Sequence, residues 1–162
     1  MTDPASMLAG RTRETKIRRD ARGRWFNDGV PLTHPLLTQA FDRWLRRAPD
    51  GSGRYCLSND INWAFVEVEG PPRFVRSVAI RHGVVRLRLS DEREVELDPS
   101  TLREGPDGVL YCDVGEGLTA GFDPHAAVQL ADLVGEDEHG VFLRVAGAIV
   151  RPPVVDDPLA AG

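Results

Sequence analysis

Lysine is nearly missing from this chain of 162 residues. Lys16 stands alone among 20 basic side chains, and the rest are arginine. A bias this complete reads as genomic composition and carries no functional weight. Only two cysteines are present, Cys56 and Cys112. They are too few for a disulfide framework, and each lies inside an apolar strand-like run, so both are expected as buried, reduced thiols. No stretch approaches the roughly 18 consecutive apolar residues of a membrane span. Residues 1 to 24 lack the apolar core of a secretory signal. These absences leave the cytoplasm as the expected location, with no membrane partner.

Recognisable chemistry is also scarce. The four histidines, His34, His82, His125 and His139, show no short metal-ligand spacing with one another or with cysteine. Glu136-Asp137-Glu138 lacks the alternating oxygen ligands and glycine of a calcium loop. No phosphate-binding glycine loop, dinucleotide fingerprint or nucleophile elbow is present. Pairing Cys112 with His125, or Cys56 with His34, as nucleophile and base would need folding to join distant groups, and nothing local supports it. The expectation is a protein that is not an enzyme, with no cofactor and no metal.

Charge is uneven along the chain. Residues 1 to 97 carry 17 basic and 13 acidic groups, residues 98 to 162 carry 3 and 12, and the whole chain has a net charge of −5. An acidic chain with a more acidic second half repels a phosphate backbone, which disfavours nucleic acid as the main partner. The one basic run, Arg11 to Arg24, reads better as a hairpin than as a binding arm. Strand candidates at 15–19 and 24–26 flank the turn residues Asp20-Ala21-Arg22-Gly23.

One local pattern occurs twice. Trp25-Phe26-Asn27-Asp28-Gly29-Val30-Pro31-Leu32-Thr33 aligns with Tyr111-Cys112-Asp113-Val114-Gly115-Glu116-Gly117-Leu118-Thr119 at an offset of 86 residues. Each copy runs from an aromatic strand through a glycine turn and Leu-Thr into a helical stretch, and then into an apolar hairpin. Such a repeat predicts two related α+β units. In the first, Thr33 or His34 caps a helix with Pro35 in its opening turn. Leu36, Leu37, Ala40, Phe41, Trp44, Leu45 and Ala48 form its apolar stripe. Strands at 54–58 and 63–69 follow, and Gly70-Pro71-Pro72 interrupts regular structure. In the second, Asp123-Pro124 starts a helix with a stripe of Ala127, Leu130, Ala131 and Val134, and Gly135 stops it.

Between the copies, residues 73–97 predict a three-strand meander. A two-residue turn at His82-Gly83 pairs Ile80 with Val85 and Val78 with Leu87. A three-residue loop, Ser90-Asp91-Glu92, then sets Leu87 against Val95, Arg88 against Glu94 and Arg86 against Glu96. Arg73, Arg76, Arg81, Arg86 and Arg88 suggest a basic sheet face, but carboxylates directly across would match two of these charges and leave an ordinary solvated face. No aromatic residues interleave there as a base-stacking platform requires.

Asn59, Asp60, Asn62 and Trp63 form the one concentrated polar and aromatic group in a loop, with His34 at a helix start. Binding groups tend to sit on such loops, although turn capping alone accounts for Asn and Asp there. With Arg81 they are the candidate ligand-binding residues, expected in the groove between the two units.

Several ordered features resemble a known family. They are Ile17-Arg18-Arg19-Asp20, Gly23-Arg24-Trp25-Phe26, Gly29, Pro31-Leu32, Leu36-Leu37, Phe41, Leu45-Arg46-Arg47 and Tyr55, followed from Ser58 to Pro72 by a polar turn, a Val-Glu-Val-Glu strand and a proline break. Together they resemble the bacterial DUF1285 family, a domain of unknown function, over roughly residues 15 to 153. The resemblance implies two consecutive similar domains, each a helix on antiparallel strands. It implies no established enzymatic activity, and a signalling or sensing role suggested on structural grounds.

The expected fold class is α+β, with two tandem, structurally similar units, each one helix packed on an antiparallel β-sheet or partial barrel. A tail at 1–14 precedes units at 15–70 and 71–153, and 154–162 is expected as a disordered tail. The expected function is binding or sensing of a small-molecule ligand or protein partner. The alternatives are an enzyme of unrecognised type and a nucleic-acid-associated accessory protein.

Overall fold

Aromatic and β-branched residues at alternate positions between glycine turns build short strands throughout this chain, and only short segments between them are helical. The structure is a computed structural model and describes residues 13–160. It divides after Pro72 into two units, Met1–Pro72 and Arg73–Gly162.

The first unit runs β1 (Ile17–Arg19), β2 (Trp25–Asn27), β3 (Val30–Leu32), α1 (Pro35–Trp44), β4 (Leu45–Arg47), β5 (Tyr55–Ser58) and β6 (Trp63–Val68). Its sheet has the order β3-β2-β1-β6-β5-β4. Neighbours are antiparallel except β1 and β6, which pair in parallel. The basic run is a hairpin from Ile17 onward. Of the expected tail at 1–14, only Arg13 and Glu14 fall among the described residues, and the Arg13 carbonyl accepts from the Phe65 N–H at 2.7 Å.

Ile17, Trp25, Phe41, Leu45, Leu57, Ala64 and Val66 make this unit's core. Trp25 meets Phe41 edge to face, with centroids 5.3 Å apart, and donates its indole N–H to Asp42 at 3.0 Å. This satisfies the polar end of a buried ring. The helix is shorter than its apolar stripe predicts. It ends at Trp44, and Leu45–Arg47 pairs with β5 instead. Leu45 and Ala48 are buried all the same, whereas Leu36 of the same stripe is 72% exposed, so the spacing identified these two buried positions without fixing the backbone that buries them.

The second unit opens with the meander β7 (Arg73–Arg81), β8 (Val84–Leu89) and β9 (Glu94–Glu96). It continues through β10 (Arg103–Glu104), β11 (Leu110–Asp113), β12 (Thr119–Phe122), α2 (Pro124–Gln129), β13 (Val134–Asp137), β14 (Gly140–Val145) and β15 (Ala148–Val150). A six-stranded sheet has the order β10-β11-β12-β7-β8-β9, with β12 parallel to β7. The last three strands form a separate antiparallel sheet. Both six-stranded sheets are thus mixed rather than purely antiparallel, and neither closes into a barrel. The second helix also stops early. A 3-10 turn covers Leu130–Leu133, and of the expected stripe only Leu130 is buried, while Ala127, Ala131 and Val134, the last at the start of a strand, are exposed.

The repeat is visible in this order of elements. Three antiparallel strands, a helix and three antiparallel strands occur as β1 to β6 around α1, and again as β10 to β15 around α2. A parallel closure recurs as well. Where β1 pairs with β6, Glu104 bridges Val154 in parallel, with bonds of 2.8 Å from the Glu104 N–H to the Pro153 carbonyl and from the Val155 N–H to the Glu104 carbonyl. The segment from Val154, expected to have no fixed structure, is held by these bonds and by Arg103 Nε donating to the Pro158 carbonyl at 2.7 Å. The meander β7 to β9 has no counterpart among the described residues of the first unit.

Candidate functional site

The meander supplies a distinctive concavity of the second unit. Its first turn, His82-Gly83, has both residues at positive φ, 52° and 80°, the geometry of a tight hairpin turn. Registers follow the sequence expectation: Ala79 opposes Arg86, Val78 opposes Leu87, and Arg86, Leu87 and Arg88 oppose Glu96, Val95 and Glu94. Strand alternation then buries Val78, Val85 and Leu87 and turns Ser77, Ala79, Arg81, Val84, Arg86 and Arg88 to the other face.

These outward residues line a groove of about 500 Å³, together with Glu94 of β9 and with Gln129 at the end of α2. Ala79 and Val84 give the lining an apolar part, and the arginines stand around it. The five arginines of β7 and β8 do not behave alike. Arg73 is buried and paired with the buried Asp91 at 3.3 Å, and Arg76 pairs with Asp123 at 2.8 Å. Arg88 reaches Glu94 only at 4.0 Å, with both side chains more than half exposed, a contact of little energetic weight. Arg81 and Arg86 have no carboxylate partner among the described residues. Cross-strand register therefore places Glu96 opposite Arg86 without forming an ion pair.

Gln129 was not singled out by sequence. Its side-chain oxygen accepts from the Val78 N–H at 2.6 Å, beside the register shift between Val75 and Ser77 in the β7–β8 ladder. β12 pairs with β7 only over Arg73–Val75, so Val78 lies beyond that ladder, and Gln129 meets its N–H. No sequence motif announces that contact, because one partner is backbone and the other ends a helix only six residues long.

The other sequence candidates lie in the first unit, where the side chains of His34 and Asn59 serve a helix cap and a turn. His34 is the N-cap of α1, and its Nδ1 accepts from the Leu36 N–H at 3.2 Å. Asn59 Oδ1 accepts from the Ile61 and Asn62 N–H groups at 3.1 and 2.8 Å, and Asp60 sits at φ 75° in that turn. Trp63 packs edge to face on Phe65, and the Arg13 guanidinium lies 4.0 Å from its ring centroid. Next to them Arg54 covers Phe65 at 3.6 Å and binds Glu14 through two bonds of 2.7 and 2.9 Å. That pairing holds the Glu14 carboxyl below its usual range. Arg81, the remaining candidate, is in the second unit, on the wall of the arginine groove.

Both cysteines are buried free thiols. Burial pushes the Cys112 thiol up to about 12, which keeps it protonated near neutral pH and makes it a poor nucleophile. Tyr111 is likewise pushed up to about 12 by burial and by its bond to Asp107 at 3.1 Å. Among the described residues no group of three or more His, Cys, Asp or Glu is placed to hold a metal ion, and no helix is long and apolar enough to cross a membrane.

No protein-family model and no curated protein matches the chain. Two solved structures share its fold. A crystal structure of a DUF1285 family protein from Silicibacter pomeroyi DSS-3 aligns with a TM-score of 0.67 at 19% identity, covering 93% of this chain and 86% of that one. A second, a DUF1285 family protein from Shewanella baltica OS155, aligns with a TM-score of 0.55 at 18% identity, covering 73% and 91%. The fold supports the resemblance carried by the first-unit residues.

Proposed function

We propose that this chain, built on the fold of the DUF1285 proteins, is itself a member of that family and a binding module whose second unit takes a small anionic ligand in the Arg81–Arg86–Arg88 groove. One observation carries the reading: Arg81 and Arg86 share a concavity of about 500 Å³ with no carboxylate partner among the described residues. Like charges held close repel one another, and an anion bound among them removes that cost. The volume falls within the range of small-molecule sites, roughly 300–1,000 Å³. A guanidinium supplies a planar fork of donors that matches a carboxylate or phosphoryl group. A charge-assisted bond contributes about 1.5–3 kcal/mol, so losing one arginine contact should weaken binding by about 10-fold or more.

The reading favours binding over catalysis, since the groove presents donors and no nucleophile paired with a base. As a sensor, the unit would report its ligand through the stability of the meander. Titrating the full chain with inorganic phosphate and with benzoate, followed by amide NMR, tests the proposal. Shifts should cluster at Ala79, Val84 and Arg86 and vanish in Arg81→Gln/Arg86→Gln. Equal responses from the native chain and the double variant would remove the groove as a binding site.

A further inference from the structure

Gln129 is held in one orientation. The Val78 N–H is a donor, so the side-chain atom 2.6 Å away must be the amide oxygen, which settles the end of the amide that faces the strand. The nitrogen of the same amide, with two N–H donors, then belongs to the other edge of a group that lines the groove, and it has no acceptor among the described residues. The lining thus brings the guanidinium groups of the sheet face together with the Gln129 amide at the helix end. Glu94 also lines it, and it stands beside Arg88.

From this geometry we infer that the groove recognises a phosphate monoester, with Gln129 as its specificity-determining donor. The inference rests on the anion-binding reading above and narrows its ligand class. A carboxylate accepts in one plane through two oxygens and is served by a single guanidinium fork. A phosphoryl group has three terminal oxygens arranged tetrahedrally, so it accepts donors arriving from different elements at once. Its charge of about −1.5 to −2 near neutral pH also suits two unpaired arginines better than a single negative charge does. Ala79 and Val84 leave an apolar surface for the organic part of the ester, which free phosphate lacks.

The test is a set of titrations of this 162-residue chain with phenyl phosphate, inorganic phosphate and benzoate, using calorimetry and amide NMR. Phenyl phosphate should bind at least about 10-fold tighter than benzoate, and tighter than inorganic phosphate. Gln129→Ala should weaken phenyl phosphate by about 10-fold and change benzoate by less than about 2-fold. Gln129→Glu keeps an oxygen for Val78, so the Val78 amide resonance should stay in place while phenyl phosphate binding is lost. If benzoate binds as tightly as phenyl phosphate, or if both Gln129 variants bind phenyl phosphate like the native chain, the phosphoryl assignment is overturned. The two failures separate cleanly: Arg81→Gln/Arg86→Gln still abolishes anion binding if only this inference is wrong, and has no effect if the groove itself is wrong.

Discussion

Asp20 shows how one carboxylate fixes a turn. Its oxygens accept from the Arg22 and Arg24 N–H groups at 3.0 and 2.8 Å and from Arg24 Nε at 2.7 Å. Burial acts to raise its carboxyl, and the bonds from Arg24 and Arg22 outweigh that and hold it below the usual range. A folded value below the unfolded one means this stabilisation is present above the unfolded value, near 4, and is lost as pH falls through the folded value. Asp20→Ala should cost about 1–3 kcal/mol by leaving two backbone donors unmet, and thermal melts should then lose part of their acid sensitivity below about pH 4. Cys112 makes a second prediction. With its thiol pushed up to about 12 and the side chain buried, a maleimide should label it only after unfolding, which mass spectrometry with and without denaturant can measure.

At the same scale, some residues were legible and others were not. His34 as a cap and Asn59 as a turn residue follow from side chains that bond their own backbone. Arg19 does not: within an arginine-rich run it reads as one more exposed charge. It is buried because its guanidinium donates to the carbonyls of Pro72, at 3.0 Å, and Pro71. Backbone carbonyls have no residue identity, so nothing in the composition of the proline break declares that it needs a cation.

Among the elements, register was readable and helix ends were not. The meander's pairing follows from which faces agree, because a slip of one residue would turn every apolar side chain outward. Helix length had no such check. The spacing that places Leu45 beside Phe41 on a helix also suits a strand that turns Leu45 inward, and the pairing of Leu45 with Leu57 decides between them. In the small terminal sheet, Gly135 opposes Phe142, and a Cβ added there would lie 2.5 Å from the ring. Gly135→Ala should therefore destabilise this sheet by about 1–3 kcal/mol, seen as faster amide exchange at Phe142. Combining it with Phe142→Leu should recover part of the loss. An equal cost in the double variant would mean that the ring does not set the constraint.

For the whole molecule, the repeat announced the architecture but hid the groove. Trp25 to Thr33 and its copy 86 residues on identify the recurring strand, helix and strand series, yet the groove lies mainly on the stretch between them. The net charge of −5 argues against a general positive potential, and local cross-strand pairing was expected to cancel what remained. That pairing is present at the level of the backbone. Side-chain reach decides otherwise, since Arg88 meets Glu94 only at 4.0 Å and Arg86 meets no carboxylate among the described residues.

Among the described residues the meander occurs once while the series around it occurs twice. A polypeptide that looks doubled should therefore saturate at one equivalent of phosphate ester rather than two, and native mass spectrometry would count it. Duplication supplied scaffolding here, and on this reading selectivity arrived with the single interposed segment.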